Sequence, residues 1–149
     1  MRDRRTLAKL NALHVVQRAN KSSAEARLAA AKEHQAAKQE DLRSAGKRTI
    51  AAEDDWAEHV ASASFSPLHA RHFAEVVIER AAAEAAAATE LRAAERRAAR
   101  SEDELRKTLT QVELGKRTRQ KVARAVARRT EEASLSELAD RVTRSWTRA

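Results

Sequence analysis

The sequence is poor in the residues that build compact cores and covalent sites. Among 149 residues there are no cysteines and no tyrosines, one proline, two glycines, two phenylalanines and two tryptophans. The absence of cysteine excludes disulfide bonds and thiolate chemistry. With so few large apolar side chains, little apolar area per residue can leave water, which argues against a compact globule. Extended helices tolerate this composition, because each helix covers only one stripe of its partner.

Long hydrophobic runs are lacking as well. No stretch of about 18 apolar residues occurs, so we expect no membrane-spanning helix. The amino-terminal stretch "MRDRRTLAKLNALHVV" is basic but has no clean apolar signal region. We therefore expect a soluble cytoplasmic protein.

Positive charge is what the chain has in excess. There are 30 Lys and Arg residues against 22 Asp and Glu residues, and the formal net charge is +8. This balance favours an acidic protein surface, a nucleic acid or an anionic membrane as partner, without choosing among them. Between residues 106 and 129 the only acid is Glu113. The basic residues of this tract are Arg106, Lys107, Lys116, Arg117, Arg119, Lys121, Arg124, Arg128 and Arg129.

Two segments have the composition and spacing of long helices. Strong helix formers dominate residues 4–62, and apolar or small residues recur there at spacings of three and four. Polar residues interrupt this coiled-coil stripe at His14, Gln17, Gln35, Lys38 and Thr49. A second heptad-spaced stripe follows the proline, with Glu84 and Arg119 as polar gaps.

The single proline marks the break between the two segments. Ser66 can cap the second helix, and Pro67 can occupy its first position, where the missing N–H costs nothing. The sequence therefore predicts an all-α fold in which two long helices form an antiparallel coiled-coil hairpin. The predicted bounds are 4–62 for the first helix, 62–67 for the bend and 67–147 for the second helix, in a single domain over 1–149.

The two predicted helices differ in length, so the last turns of the second should extend beyond the first. One face of these turns is apolar, with Leu135, Leu138, Val142 and Trp146 at helical spacing. Because no intrachain helix covers this face, we expect it to bury against something else. The neighbouring basic tract is expected to lie beside the basic amino terminus, with its residues Arg2, Arg4, Arg5 and Lys9.

Motifs that would carry chemistry are weak. "GKRT" occurs at 46–49 and 115–118, but a phosphate loop needs an earlier glycine and a Ser or Thr directly after the lysine. His69 and His72 share a helical face, but no third metal ligand can be assigned. Since a two-helix hairpin offers no cleft, we expect no metal site, no cofactor and no enzymatic activity.

Aromatic residues gather around the predicted bend. Trp56, Phe65 and Phe73 either plug the tip of the hairpin, where the helices diverge, or form an exposed tip that a partner grips.

Three features point to a known family: Trp56, "FSPLHARHFAEVV" at 65–77 and "KRTRQKVARAVARRTEEASLSELADR" at 116–141. In these features the chain resembles the FliJ and YscO-type family of flagellar and virulence type III secretion. The length, the two long helices and the basic stretch followed by an acidic-apolar ending agree with that pattern.

The resemblance implies an antiparallel coiled coil similar to the gamma stalk of rotary ATPases. Its end with both termini would insert into a hexameric, FliI-like export ATPase, which has its own regulator. The start of the second helix would touch an FlhA-like export-gate protein, through Phe73 and Val77. Arg80 and Glu84 depart from the family's pattern at this face. The family also implies an export-chaperone role and a peripheral position at the inner-membrane export apparatus.

We therefore expect a non-enzymatic binding protein that promotes ring assembly and ATP hydrolysis by the export ATPase. The residues expected to meet its acidic loops are Arg117, Arg119, Arg124 and Arg128, with Leu135 and Leu138 as apolar anchors. Two alternatives remain open. One is a basic coiled coil associated with nucleic acid, and the other is a structural homodimer that covers its own Leu135–Trp146 face.

Overall fold

A computed structural model describes residues 2–146, which form two α-helices. Helix α1 spans Arg2–Ala61 and helix α2 spans Pro67–Trp146, with lengths of 60 and 80 residues. The fold is all-α, and the two long helices form a hairpin as the sequence predicts. The predicted helix end at residue 147 lies outside the described residues, as does the side chain of Arg2.

The connection between the helices follows Ala61 and ends at Pro67, the first residue of α2. The Ser62 N–H donates to the His59 carbonyl at 3.2 Å, which closes the end of α1. The Ala70 N–H donates to the Ser66 carbonyl at 2.9 Å. This bond makes Ser66 the residue that flanks the start of α2, with Pro67 in the first helical position.

Contacts divide the chain into two compact units. Unit 1 contains the described residues up to Ala24 and those from Leu105 onward, and unit 2 contains Glu25–Glu104 with the bend. In each unit, part of α1 packs against part of α2.

Unit 2 is held together mainly by small side chains. Its buried hydrophobic residues are Ala45, Ala52, Ala94 and Ala98. The Thr49 side chain is buried with them, and its hydroxyl donates to the Ala45 carbonyl at 3.2 Å. Because alanine and a satisfied threonine occupy little space, the two helix backbones can approach closely.

An ion pair joins α1 to α2 in unit 2. Lys38 Nζ lies 2.6 Å from Glu90 Oε2 on α2 and 3.2 Å from Asp41 Oδ2 on α1. The hydrogen bond to Glu90, followed by that to Asp41, raises the pKa of Lys38 above its usual value. A second pair joins Arg27 and Glu104 at 4.0 Å, with both side chains more than half exposed.

Unit 1 has a close contact between a glycine and a glutamine. Gln17 Nε2 on α1 donates to the Gln111 carbonyl on α2 at 3.3 Å. A Cβ atom placed on Gly115 would collide with the Gln17 carboxamide. The missing side chain of Gly115 therefore makes the room in which Gln17 reaches the α2 backbone.

Candidate partner-binding surfaces

An exposed row of basic side chains runs along α2 in unit 1. Arg117, Lys121, Arg124 and Arg128 are all exposed and follow one another at spacings of four, three and four. At about 100° per residue, these spacings place them on one helical face. Within this face, Arg117 Nε pairs with Glu113 Oε1 at 3.2 Å, one turn earlier.

The same face changes character toward the end of α2. Glu131 and Glu132 follow the basic row, and both are exposed. Apolar residues come next: Leu135 is 65% exposed, Leu138 55% and Trp146 80%. We call the whole face the outer stripe. It consists of Arg117, Lys121, Arg124, Arg128, Glu131, Glu132, Leu135, Leu138, Val142 and Trp146.

The outer stripe lies away from α1. The side of α2 that packs toward α1 is marked by Gly115, which meets Gln17, and by Val126, which shares a groove with Arg4. Leu135 follows Val126 by nine residues, about two and a half turns, so it points to the opposite side. The apolar row is therefore exposed because it belongs to the outer face, and a longer α1 would not cover it.

Five of the six residues expected to contact an ATPase lie on the outer stripe: Arg117, Arg124, Arg128, Leu135 and Leu138. Arg119 does not. It is half-buried, four residues after Gly115 on the side that faces α1. The sequence could not separate Arg119 from its neighbours, because that requires knowing which side of α2 packs inward.

The structure adds residues that the sequence reasoning missed. Just before the outer stripe, Leu109, Thr110, Glu113, Leu114 and Arg117 line a shallow groove of about 440 Å³. Leu114 is 64% exposed and lies three residues before Arg117, so it extends the same face. This spacing was available in the sequence as a signal.

In unit 2, the two residues expected to contact an export gate are only partly accessible to solvent. Phe73 and Val77 are half-buried. The Phe73 ring lies 5.1 Å from the His59 ring of α1, which also lies 6.1 Å from the Phe65 ring and 5.8 Å from the His69 ring. The aromatic cluster thus packs across the bend, while Leu68 stays three-quarters exposed beside it.

The described residues provide neither a metal-binding cluster nor a membrane-spanning helix. Residues 2–146 contain no group of three or more His, Asp or Glu side chains arranged to hold a metal ion. Within the same range, neither helix has a stretch long and apolar enough to cross a membrane.

The fold and these surfaces define the chain as an all-α, two-helix hairpin with exposed candidate binding faces. No family model, curated protein or solved structure matches it.

Proposed function

We propose that the chain is a non-enzymatic component of a type III export apparatus that binds a hexameric, FliI-like export ATPase through the outer stripe. The observation that carries the proposal is the stripe itself, which joins exposed arginines to exposed leucines on one helical face. Such a face suits a partner that offers both acidic loops and an apolar recess. The sequence resemblance to the FliJ and YscO-type family supports the same partner.

The basic and apolar parts of the stripe are expected to contribute differently to binding. Arg117, Arg124 and Arg128 steer the encounter and set its salt dependence, because they are exposed charges. Leu135 and Leu138 supply the affinity, since burying a leucine that is exposed in the free protein gains about 1.5–3 kcal/mol. A ligand that contacts neighbouring subunits of the assembled ring stabilises that ring, so binding promotes assembly and hydrolysis together.

A second contact, with an FlhA-like export gate, belongs to the same proposal. Phe73 and Val77 are half-buried, so only part of each side chain is available to a gate protein. Exposed Phe65 and Leu68 precede Phe73 by eight and five residues and can extend the contact. Through these partners the chain would be held peripherally at the inner-membrane export apparatus. An export-chaperone role belongs to the same proposal.

The test is to mix the purified chain with the export ATPase, and to measure ATP hydrolysis and ring formation. Wild-type chain is expected to raise both. Arg124→Glu is expected to weaken binding about tenfold, because it places like charges together across the contact. Arg96→Glu, at another exposed arginine, in unit 2, is the matched control. If wild type changes neither hydrolysis nor ring formation, the proposal fails.

A basic surface also fits nucleic acid, and the exposed arginine row favours this as the second candidate. Phosphate contacts would use Arg117, Lys121, Arg124 and Arg128 but leave the exposed leucines unexplained. Binding to DNA or RNA that falls steeply with salt supports the second candidate. Negligible binding near 0.1 M salt, where roughly physiological screening applies, eliminates it.

A further inference from the structure

The outer stripe has an order that makes it complementary to itself. From the amino-terminal side this face presents Glu113, which pairs with Arg117, and exposed Leu114, then four basic residues, then Glu131 and Glu132, then the apolar row. From residue 116 to residue 129 there are seven basic residues and no acid, and the acids begin directly afterwards. Reversing this order brings the acids against basic residues and the end of the apolar row against Leu114.

We propose that a second copy of this chain docks antiparallel on the outer stripe. The two copies cross near Arg128, and a two-fold axis relates them. Glu131 and Glu132 of each copy then lie beside Arg124 and Arg128 of the other. Because a two-fold interface repeats every contact, this pairing forms twice.

The apolar row of each copy also finds partners on the other copy in this arrangement. With the crossing near Arg128, Trp146 of one copy falls at the level of Thr110 and Leu114 of the other. Those two residues line the shallow groove before the stripe. Leu138 falls at the level of Arg117 and Lys121, whose aliphatic stems can cover it while their charges stay in water. The antiparallel direction also aligns the two helix dipoles favourably.

No described side chain of α1 obstructs such a dimer, because the outer stripe lies on the side of α2 opposite the α1 contact. The inference goes beyond the proposed function and does not depend on it. If both hold, the dimer and the ATPase complex use the same surface and exclude each other. The free chain would then be a dimer, which must dissociate before the chain can bind the ATPase.

The first experiment is sedimentation equilibrium of the full-length chain, whose monomer mass is 16.5 kDa. Wild type is expected to approach twice this mass as its concentration rises. Leu138→Lys is expected to weaken self-association at least tenfold, because it places another positive charge beside Arg117 and Lys121 of the other copy, with its helix content by circular dichroism unchanged. Leu13→Lys, at an exposed leucine on α1, is the matched control and is expected to dimerise as wild type does.

Charge reversal tests the pairing of acid with base. Arg124→Glu and Glu132→Lys are each expected to weaken the dimer, and the two changes together in one chain are expected to restore it. Loss without restoration would overturn the proposed pairing. A chain that stays monomeric at every concentration, or a dimer that Leu138→Lys leaves intact, would overturn the proposal as a whole.

Disulfide trapping tests the register. Because the chain has no native cysteine, only the introduced cysteines can form a crosslink. A disulfide requires Cα atoms within about 7 Å. Arg128→Cys lies at the crossing and is expected to form a disulfide-linked dimer under oxidation. Leu138→Cys is expected to form no disulfide-linked dimer, because its two copies lie far apart. Crosslinking of Leu138→Cys without Arg128→Cys would show a different register and overturn the crossing at Arg128.

Discussion

The two glycines of the chain differ in what surrounds them, although both lie inside helices. A Cβ on Gly46 would lie 3.3 Å from Glu84 Oε1, a distance that a small side-chain shift relieves. A Cβ on Gly115 would displace the Gln17 carboxamide from its hydrogen bond to Gln111. The same substitution therefore has two different expected outcomes.

Gly46→Ala is expected to stabilise the chain by up to about 1 kcal/mol, the helix-propensity difference between the two residues. Gly115→Ala is expected to be near neutral, because losing the Gln17 hydrogen bond costs about 1 kcal/mol and offsets the gain. Chemical denaturation of both variants checks this. Equal stabilisation by the two changes would show that the Gln17 contact contributes nothing.

The Lys38 ion pair predicts a dependence of stability on pH. Its pKa is raised in the folded chain, mainly by Glu90, so folding favours the protonated amine. The stabilisation is fully present below the ordinary lysine pKa and is lost as the pH rises through the raised one. The difference in free energy of unfolding between wild type and Lys38→Met should thus be constant near neutral pH and shrink in strongly alkaline solution. Arg27→Met, at the longer and more exposed pair, is the control and should show a smaller difference at neutral pH.

Several of these residues were visible in the sequence, but their partners were not. Gln17 and Lys38 stand out as polar gaps in an apolar stripe. Their partners Gln111 and Glu90 lie 94 and 52 residues away in the chain. Which residues meet across two helices depends on how far one slides along the other, and a repeating heptad pattern allows several such registers.

At the scale of the helix, small side chains set the distance between α1 and α2. Ala94 is only 1% exposed, and in unit 2 it lines a groove with His34 and Lys38 of α1. Ala94→Leu is expected to destabilise the chain by about 1–3 kcal/mol, because the added methyl groups force the helices apart. Ala86→Leu, at an exposed position of the same helix, is expected to be nearly neutral. Urea denaturation compares them, and equal stabilities would argue against close packing at Ala94.

The helices themselves were largely predictable. The start of α2 at Pro67 follows from the geometry of proline, and the helix-forming composition accounts for the lengths. The sequence also identified the apolar row of Leu135 and Leu138. It attributed the exposure of this row to the shortness of α1, whereas the row lies on the outer face. Assigning that face required knowing that Gly115 and Val126 pack inward.

At the scale of the whole molecule, burial is distributed unevenly along the chain. The fully buried alanines and Thr49 lie between residues 24 and 98, whereas α2 is exposed at every described side chain from residue 127 to its end. Local opening costs least where few side chains are buried. Amide hydrogen exchange is therefore expected to be slowest in unit 2 and fastest in the last turns of α2. Uniform protection along α2 in dilute solution would contradict this.

The tight link between Ala61 and Pro67 has a consequence for how the chain folds. His59 and Ser66 are seven residues apart and meet across it, whereas Gln17 and Gln111 are separated by 94. Since ordering a loop costs more entropy the longer it is, contacts near the link should form first, and each one shortens the loop that the next must close. Substitutions beside Phe73 should then slow refolding, while substitutions at Gln17 should mainly speed unfolding. Stopped-flow measurements would show whether the protein closes progressively, like a zipper, from its only proline.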